Sequence, residues 1–237
     1  MDSTHFDLRP GLTLGRNYYI VEFLGKGWEG EVYKVAERNT GIPRAAKLFY
    51  DRAKIRKNQL TRYARKLYKL RKCTVVTPYH HRDIARVGGK QFEILVSDFV
   101  EGEMLSSFLQ KQNRKRLTEF EALHLLYSLC IGIEPIHLLG EYHGDIHSNN
   151  IMVKRHGLGF DVHLLDFFDL GRSTRERIQW DVYDLVDLLY EMTGEASGYR
   201  TAGPVVKGIV KGRKRGLIRQ QFRTASQLRI ALENLSW

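Results

Sequence analysis

The residues best suited to chemistry lie between positions 143 and 166. His143-Gly-Asp145-Ile-His147-Ser-Asn-Asn150-Ile-Met152-Val153 sets an aspartate five residues before an asparagine, and the asparagine opens an apolar run. An aspartate so placed can hold a hydroxyl nucleophile, and an amide oxygen close by can face a metal ion. Leu164-Leu-Asp166-Phe-Phe168 then ends a second apolar run on an acid, 21 residues after Asp145. A hairpin carrying Asn150 at one end and Asp166 at the other aims both at one divalent cation. Asp, Asn and phosphate oxygens are the hard ligands that Mg2+ prefers.

Two upstream motifs fit a phosphate chain. Gly25-Lys-Gly27-Trp-Glu-Gly30-Glu-Val32 places three glycines between apolar runs. Without Cβ atoms, the backbone can approach phosphates closely. Alone, these glycines fit a plain hairpin turn equally well. A dinucleotide site would need a helix next, and a strand is expected instead. Ala45-Ala46-Lys47 follows, its lysine 17 residues after Gly30. A lysine in a core strand is costly unless paired, and phosphate oxygens would pair it. The alternative is an edge-strand lysine turned to solvent.

The elements that must position these groups change character along the chain. Tyr18–Leu24, Glu31–Ala36 and Arg44–Tyr50 read as strands, with Asn39-Thr-Gly41 as a turn. Ala53–Lys72 has no Pro or Gly and reads as a helix burying Leu60, Tyr63, Ala64, Leu67 and Leu70. Ile84–Gly88 and Gln91–Phe99 read as a hairpin turning at Gly88-Gly89. Beyond Glu101 helices dominate. One spans Thr118–Leu139, opening on the capping box Thr118-Glu-Phe-Glu121 and kinking at Pro135. Short strands and a loop fill Tyr142–Leu165. Further helices cover Asp181–Met192 and Thr224–Leu235.

Composition narrows the function classes. The chain has 237 residues and a formal charge of +11, with 43% hydrophobic residues. That is too apolar for disorder and long enough for one or two domains. Cys73 and Cys130 are too few for a disulfide framework or a cysteine-built metal site. No apolar run is long enough to span a membrane. The start, MDSTHFDLRP, lacks a signal pattern, so a cytoplasmic location is expected. Ten basic residues and no acid lie between Arg52 and Lys72, and nine basic residues and one acid from Arg200 onward. Such clusters attract polyanions or acidic proteins, or simply form solvated faces.

Taken together, these segments resemble the protein-kinase superfamily over roughly residues 12–237. Leu24–Lys34 resembles the nucleotide loop, Ala45-Ala-Lys47 the strand lysine, and His143-Gly-Asp145 with Asn150 the catalytic loop. Asp166-Phe resembles the start of the metal-binding triplet, and Leu95–Gly102 the hinge. Trp180–Leu185 resembles the buried anchoring helix, and Phe222–Leu228 the start of the final helix. The resemblance implies an α+β fold of two lobes. Residues 1–100 would form a five-stranded antiparallel sheet with one helix, and 101–237 a reduced helical lobe. It also implies ATP and Mg2+. Gly25, Gly27 and Gly30 would cover the phosphates, and Lys47 would hold the α/β-phosphates. Val32, Ala45 and Met152 would enclose the adenine, whose edge meets backbone at Asp98 and Val100. Asp145 would receive or orient the acceptor hydroxyl. Asn150 and Asp166 would bind Mg2+, and Asp181 would brace the loop near His143.

The pattern also departs from that family. Kinases normally pair the strand lysine with a glutamate of the next helix, yet no acid lies between Asp51 and Asp83. Asp166, Glu29 or phosphate alone would then pair Lys47. His147 stands where serine/threonine kinases carry lysine, as in aminoglycoside and choline phosphotransferases. The triplet ends in Phe168 rather than glycine, and 14 residues separate Asp166 from Asp181, too few for a long activation loop. The expected activity is an atypical serine/threonine protein kinase acting on a protein substrate. The alternatives are a small-molecule phosphotransferase, for which the basic clusters suggest an anionic substrate, and a non-catalytic nucleotide-binding adaptor.

Overall fold

The computed structural model describes residues 5–27, 29–50, 57–157, 159–167 and 171–235. Two compact units divide the chain, residues 1–71 with 77–100 and residues 72–76 with 101–237. The first is an antiparallel sheet of six strands: β1 (Thr13–Leu14), β2 (Tyr18–Lys26), β3 (Gly30–Glu37), β4 (Pro43–Phe49), β5 (Tyr79–Val87) and β6 (Lys90–Asp98). Their spatial order is β1-β2-β3-β4-β6-β5. The five strands expected become six because β1, only two residues long, is too short to show an alternating pattern.

Alternation along the strands sends one set of side chains inward. Tyr18, Ile20, Tyr33, Val35, Ala46, Leu48, Ile94 and Val96 form this core, with Phe6 and Leu8 of the leading segment packed against it. Gly88 and Gly89 both take positive φ, +55° and +78°, as a two-residue hairpin turn requires. Helix α1 (Lys57–Lys69) buries Leu60, Tyr63 and Leu67 as the spacing predicts. Residues 53–56 of the expected helix lie outside the described residues, and its C-terminal end falls at Lys69 rather than Lys72.

Among the described residues of the second unit, a small sheet, β7 (Glu103–Met104), β8 (Ile151–His156) and β9 (Gly159–Leu164), accompanies seven α-helices. These are α2 (Leu105–Lys111), α3 (Glu119–Leu138), α4 (Arg175–Met192), α5 (Glu195–Thr201), α6 (Pro204–Val210), α7 (Arg215–Gln221) and α8 (Ala225–Glu233). The Thr118 capping box forms as expected. Helix α3 runs through Pro135 and buries Ala122, Leu123, Leu125, Leu126, Leu129, Cys130, Ile133 and Ile136. A helix apolar around much of its girth belongs at the centre of a helical layer. Helix α4 starts six residues before the expected Asp181, with Thr174 accepting from the Arg177 N–H. The short helices α2 and α5–α7 escaped the sequence reading; each is seven residues long, and α5–α7 each carry a glycine that blurs the periodicity.

Residues 72–76 join the second unit through close packing. The Leu164 N–H donates to the Val75 carbonyl at 2.7 Å. At Gly132 of α3, an added Cβ would lie 1.8 Å from Val75 Cγ1. Alanine is the better helix former by about 1 kcal/mol, but overpacking costs roughly 1–3 kcal/mol. Gly132→Ala should therefore lower stability in urea denaturation, and Val75→Ala in the same chain should restore part of the loss. An unchanged midpoint for Gly132→Ala would contradict this packing.

Candidate functional site

In the first unit the expected phosphate-side residues share one face of the sheet. Val32 stands opposite Lys47 and Lys34 opposite Ala45 in the β3–β4 register. Their neighbours Tyr33, Ala46 and Leu48 point into the core. The glycine loop closes through Gly27 N–H donating to the Gly30 carbonyl at 2.9 Å. Gly30 is required for close approach, since a Cβ there would sit 1.9 Å from the Leu48 carbonyl oxygen. Gly25 pairs with Val32 across the β2–β3 ladder.

Lys47 Nζ donates to Glu29 Oε2 at 2.5 Å, and Glu29 is only 2% exposed. Of the partners the sequence left open, the glycine-loop acid is in direct contact with Lys47. At the end of β6, the Asp98 carboxylate receives Arg44 and lies 2.6 Å from His80 Nε2. Its N–H is engaged by the Pro78 carbonyl at 2.9 Å. Any contact of the Asp98 backbone with an adenine edge must therefore use its carbonyl. Val100 closes the unit, partly buried.

A second network sits on β3 beside this face. Glu31 is fully buried and accepts from the Phe6 N–H at 3.0 Å, Tyr50 Oη at 2.7 Å and Tyr33 Oη, with His5 Nδ1 at 2.5 Å. These hydrogen bonds hold its carboxyl below the usual range despite burial, and Tyr33 and Tyr50 are pushed up in turn, by burial and by the carboxylate they serve. Little in the local sequence around Glu31 announces this network, because three of its four partners, His5, Phe6 and Tyr50, come from distant segments.

The second unit assembles the catalytic-loop residues. Asp181 of α4 is fully buried. Its oxygens accept the N–H groups of His143 and Gly144, both at 2.8 Å, and lie 2.9 Å from His137 Nε2. His143 Nε2 in turn lies 2.8 Å from the Leu165 carbonyl. The Asn150 amide donates to the Asp145 carbonyl at 3.0 Å and to its carboxylate at 3.1 Å. His147 accepts the Asn149 N–H on Nδ1, and its Nε2 lies 3.0 Å from the Asn150 amide nitrogen and 3.4 Å from the Asp145 carboxylate. Ser148 Oγ donates to Glu191 Oε1 at 2.6 Å, tying the loop to α4 a second time.

The β8–β9 hairpin pairs Ile151 with Leu164, and Leu165 N–H donates to the Asn150 carbonyl at 2.8 Å. Asn150 and Asp166 therefore occupy the same end of the hairpin. Asp166 has φ +64°, a left-handed conformation that Asp tolerates better than most residues. One amide and one carboxylate, both hard oxygen donors, suit a divalent cation whose remaining ligands are phosphate and water. Met152 lies on β8 between Met104 and His163. Phe168 lies outside the described residues.

One feature beside Asp145 was not visible in the sequence. A cavity of about 310 Å3 is lined by Asp145, His147, Asp184, Asp187, Glu191, Glu195 and Arg213, among others. Arg213 forms a fork with Asp187 at 2.7 and 3.1 Å. Burial, and then the carboxylates of Asp181, Asp187 and Asp145, push the Asp184 carboxyl up to about 7 against the pull of the Ile146 N–H. Asp184, Asp187 and Glu191 stand at three- and four-residue spacing on α4, a helical periodicity that could have shown a shared acidic face.

Comparison with known proteins bears on the family. The chain is 23% identical over 223 residues to calcium-dependent protein kinase 4 of Plasmodium falciparum, covering 86% of this chain and 40% of that protein. It is 31% identical over 84 residues to a serine/threonine-protein kinase, drp72, of Corynebacterium efficiens, covering 35% of this chain and 16% of that one. The chain thus spans less than half the length of these relatives. The fold matches the PknI kinase domain of Mycobacterium tuberculosis with a TM-score of 0.72 at 17% identity, over 95% of this chain and 98% of that one. The family model described as the protein kinase domain matches residues 18–184. With well over half of its length matched, the chain belongs to the protein kinase domain family.

Proposed function

We propose that this domain transfers the γ-phosphoryl group of ATP, with Mg2+, to a serine or threonine hydroxyl of a protein. The observation that supports this most is the Asp145–Asn150 pair, held in a loop whose backbone is fixed by buried Asp181. Asp145 would orient the acceptor hydroxyl and take its proton as the bond to phosphorus forms. Lys47 and the backbone at Gly25, Gly27 and Gly30 would neutralise and cover the phosphates, with Val32, Ala45, Met152, Asp98 and Val100 around the base. Mg2+ on Asn150 and Asp166 would supply charge neutralisation. Eight residues, 167–174, separate Asp166 from the start of α4, which favours a site without a long phosphorylation-gated loop.

The acids beside Asp145 favour an acceptor segment rich in Lys or Arg. The anionic substrate suggested by the basic clusters belongs to the small-molecule alternative. A second reading, a small-molecule phosphotransferase, draws on His147 close to the Asp145 carboxylate. The basic run 52–72, of which residues 57–72 are described, is proposed to attract an acidic or polyanionic partner. Reversing Arg62, Arg65, Lys69 and Lys72 should weaken that association more at low salt than at high salt, as titration calorimetry at two ionic strengths would read.

Asp145→Ala should cut transfer from ATP to protein by at least a hundredfold, about the lower end for a lost general base. Its affinity for Mg-ATP should stay within about twofold, since Asp145 acts on the acceptor rather than the nucleotide. In the same assay, serine peptides flanked by arginine should be phosphorylated faster than those flanked by glutamate. Equal activity of Asp145→Ala and native protein, or label appearing only on small molecules, would defeat the protein-kinase reading. Stability carries a separate signature. The folded chain binds the Asp184 proton more tightly than the unfolded chain, so this group's contribution fades as pH rises from about 4 to about 7. Asp184→Asn should therefore match native stability near pH 4 and exceed it near pH 8, as urea denaturation at both values would show.

A further inference from the structure

We infer that Glu29, inside the glycine loop, is the positioning partner of Lys47. It takes the part that a glutamate of the following helix plays in the kinases this chain resembles. The inference rests on reading the domain as an ATP-dependent kinase. Helix α1 has no acid to offer, since none occurs between Asp51 and Asp83. Glu29 instead reaches Lys47 Nζ at 2.5 Å with 3% of its side chain exposed.

The backbone leaves this side chain little freedom. The Glu29 carbonyl accepts the Tyr50 N–H at 2.8 Å, just beyond β4. Gly30 pairs with Phe49, and its approach to Leu48 is too close for any Cβ. Residues 29 and 30 are thereby laid against the end of β4. Lys47 lies two residues before Phe49, so both point to one face, with Nζ 5.4 Å from the Phe49 ring. A carboxylate buried on that face needs a cation, because removing either partner of such a pair strands the other charge.

An ammonium group has three protons, and Glu29 takes one. That contact restricts the directions in which the others point, and a phosphate oxygen can accept from them. The loop that covers the phosphates and the lysine that holds them then form one mechanical piece. The orientation of Lys47 follows the closure of that loop and not the placement of α1. A nucleotide meets a lysine already oriented, so less ordering remains to be done on binding.

Affinity of the full chain for a fluorescent ATP analogue with Mg2+ tests this, alongside KM for ATP and kcat. The variants are Glu29→Gln, Lys47→Ala and the double substitution, with thermal unfolding as the control for folding. Glu29→Gln should weaken binding about tenfold, the order of one charge-assisted hydrogen bond, and raise KM for ATP more than it lowers kcat. In the Lys47→Ala background it should have no further effect. Glu29→Asp keeps the charge but shortens the reach, and should fall between native and Glu29→Gln; it also serves if Glu29→Gln does not fold. Equal or tighter binding by Glu29→Gln, as expected of a carboxylate that competes with phosphate, would overturn the inference. So would a Glu29→Gln effect that persists undiminished without Lys47. Failure of the native chain to bind nucleotide is a different result, and would remove the kinase reading itself.

Discussion

A single buried carboxylate sets the geometry of the loop that carries Asp145 and Asn150. Asp181 is fully enclosed, and an enclosed charge is tolerable only when hydrogen bonds replace the water it has lost. Two of those bonds come from consecutive backbone N–H groups, at His143 and Gly144. Two adjacent amides aimed at one carboxylate leave the chain little choice of direction at that point. Asp145 follows at once, and its orientation is inherited from a group that never approaches substrate. His143 extends the constraint to Leu165, the residue before Asp166. The residues proposed to face the acceptor and the metal are thus referenced to the same anchor.

The two units solve the problem of buried charge differently. In the first, each enclosed acid is matched: Glu29 by Lys47, and Glu31 by four donors. In the second, α4 gathers acids beside the loop, with Arg213 on Asp187, and burial first and the neighbouring carboxylates second raise the proton affinity of Asp184. A matched charge stiffens its surroundings, while an unmatched one creates a field that selects among ligands. Stiffness suits the proposed holding of phosphates, and a selecting field the proposed choice of an acceptor.

Much of this was legible in the sequence. Motifs that place several groups by local spacing, such as the three glycines or Asp145 with Asn150, report themselves, because backbone geometry ties neighbours together. Long alternating strands and the capped helix α3 were equally plain. What stayed hidden depends on distant chain segments or short elements. The pairing of Lys47 with Glu29 could be named only as one option among three, since it depends on how the loop folds back onto β4. The acids of α4 drew no reading of their own, because nothing local reveals that Asp145 lies next to them. Helices α5–α7 were lost among basic residues and glycines, where periodicity is weak.

The leading segment has a bearing on where this folding unit begins. The stretch by which the family is recognised starts at residue 18 and stops at residue 184. A chain excised at those limits would lose His5, Phe6 and Leu8, and with them two of the donors around Glu31 and two apolar side chains of the sheet core. It would also lose Arg229, which binds Glu134 of α3 at 2.6 Å. Such a fragment would keep the glycine loop, Lys47, Asp145, Asn150 and Asp166, and yet leave Glu31 beside the glycine loop with only Tyr33 and Tyr50 as donors. Trimming by homology would therefore yield a protein prone to open where it should be most rigid.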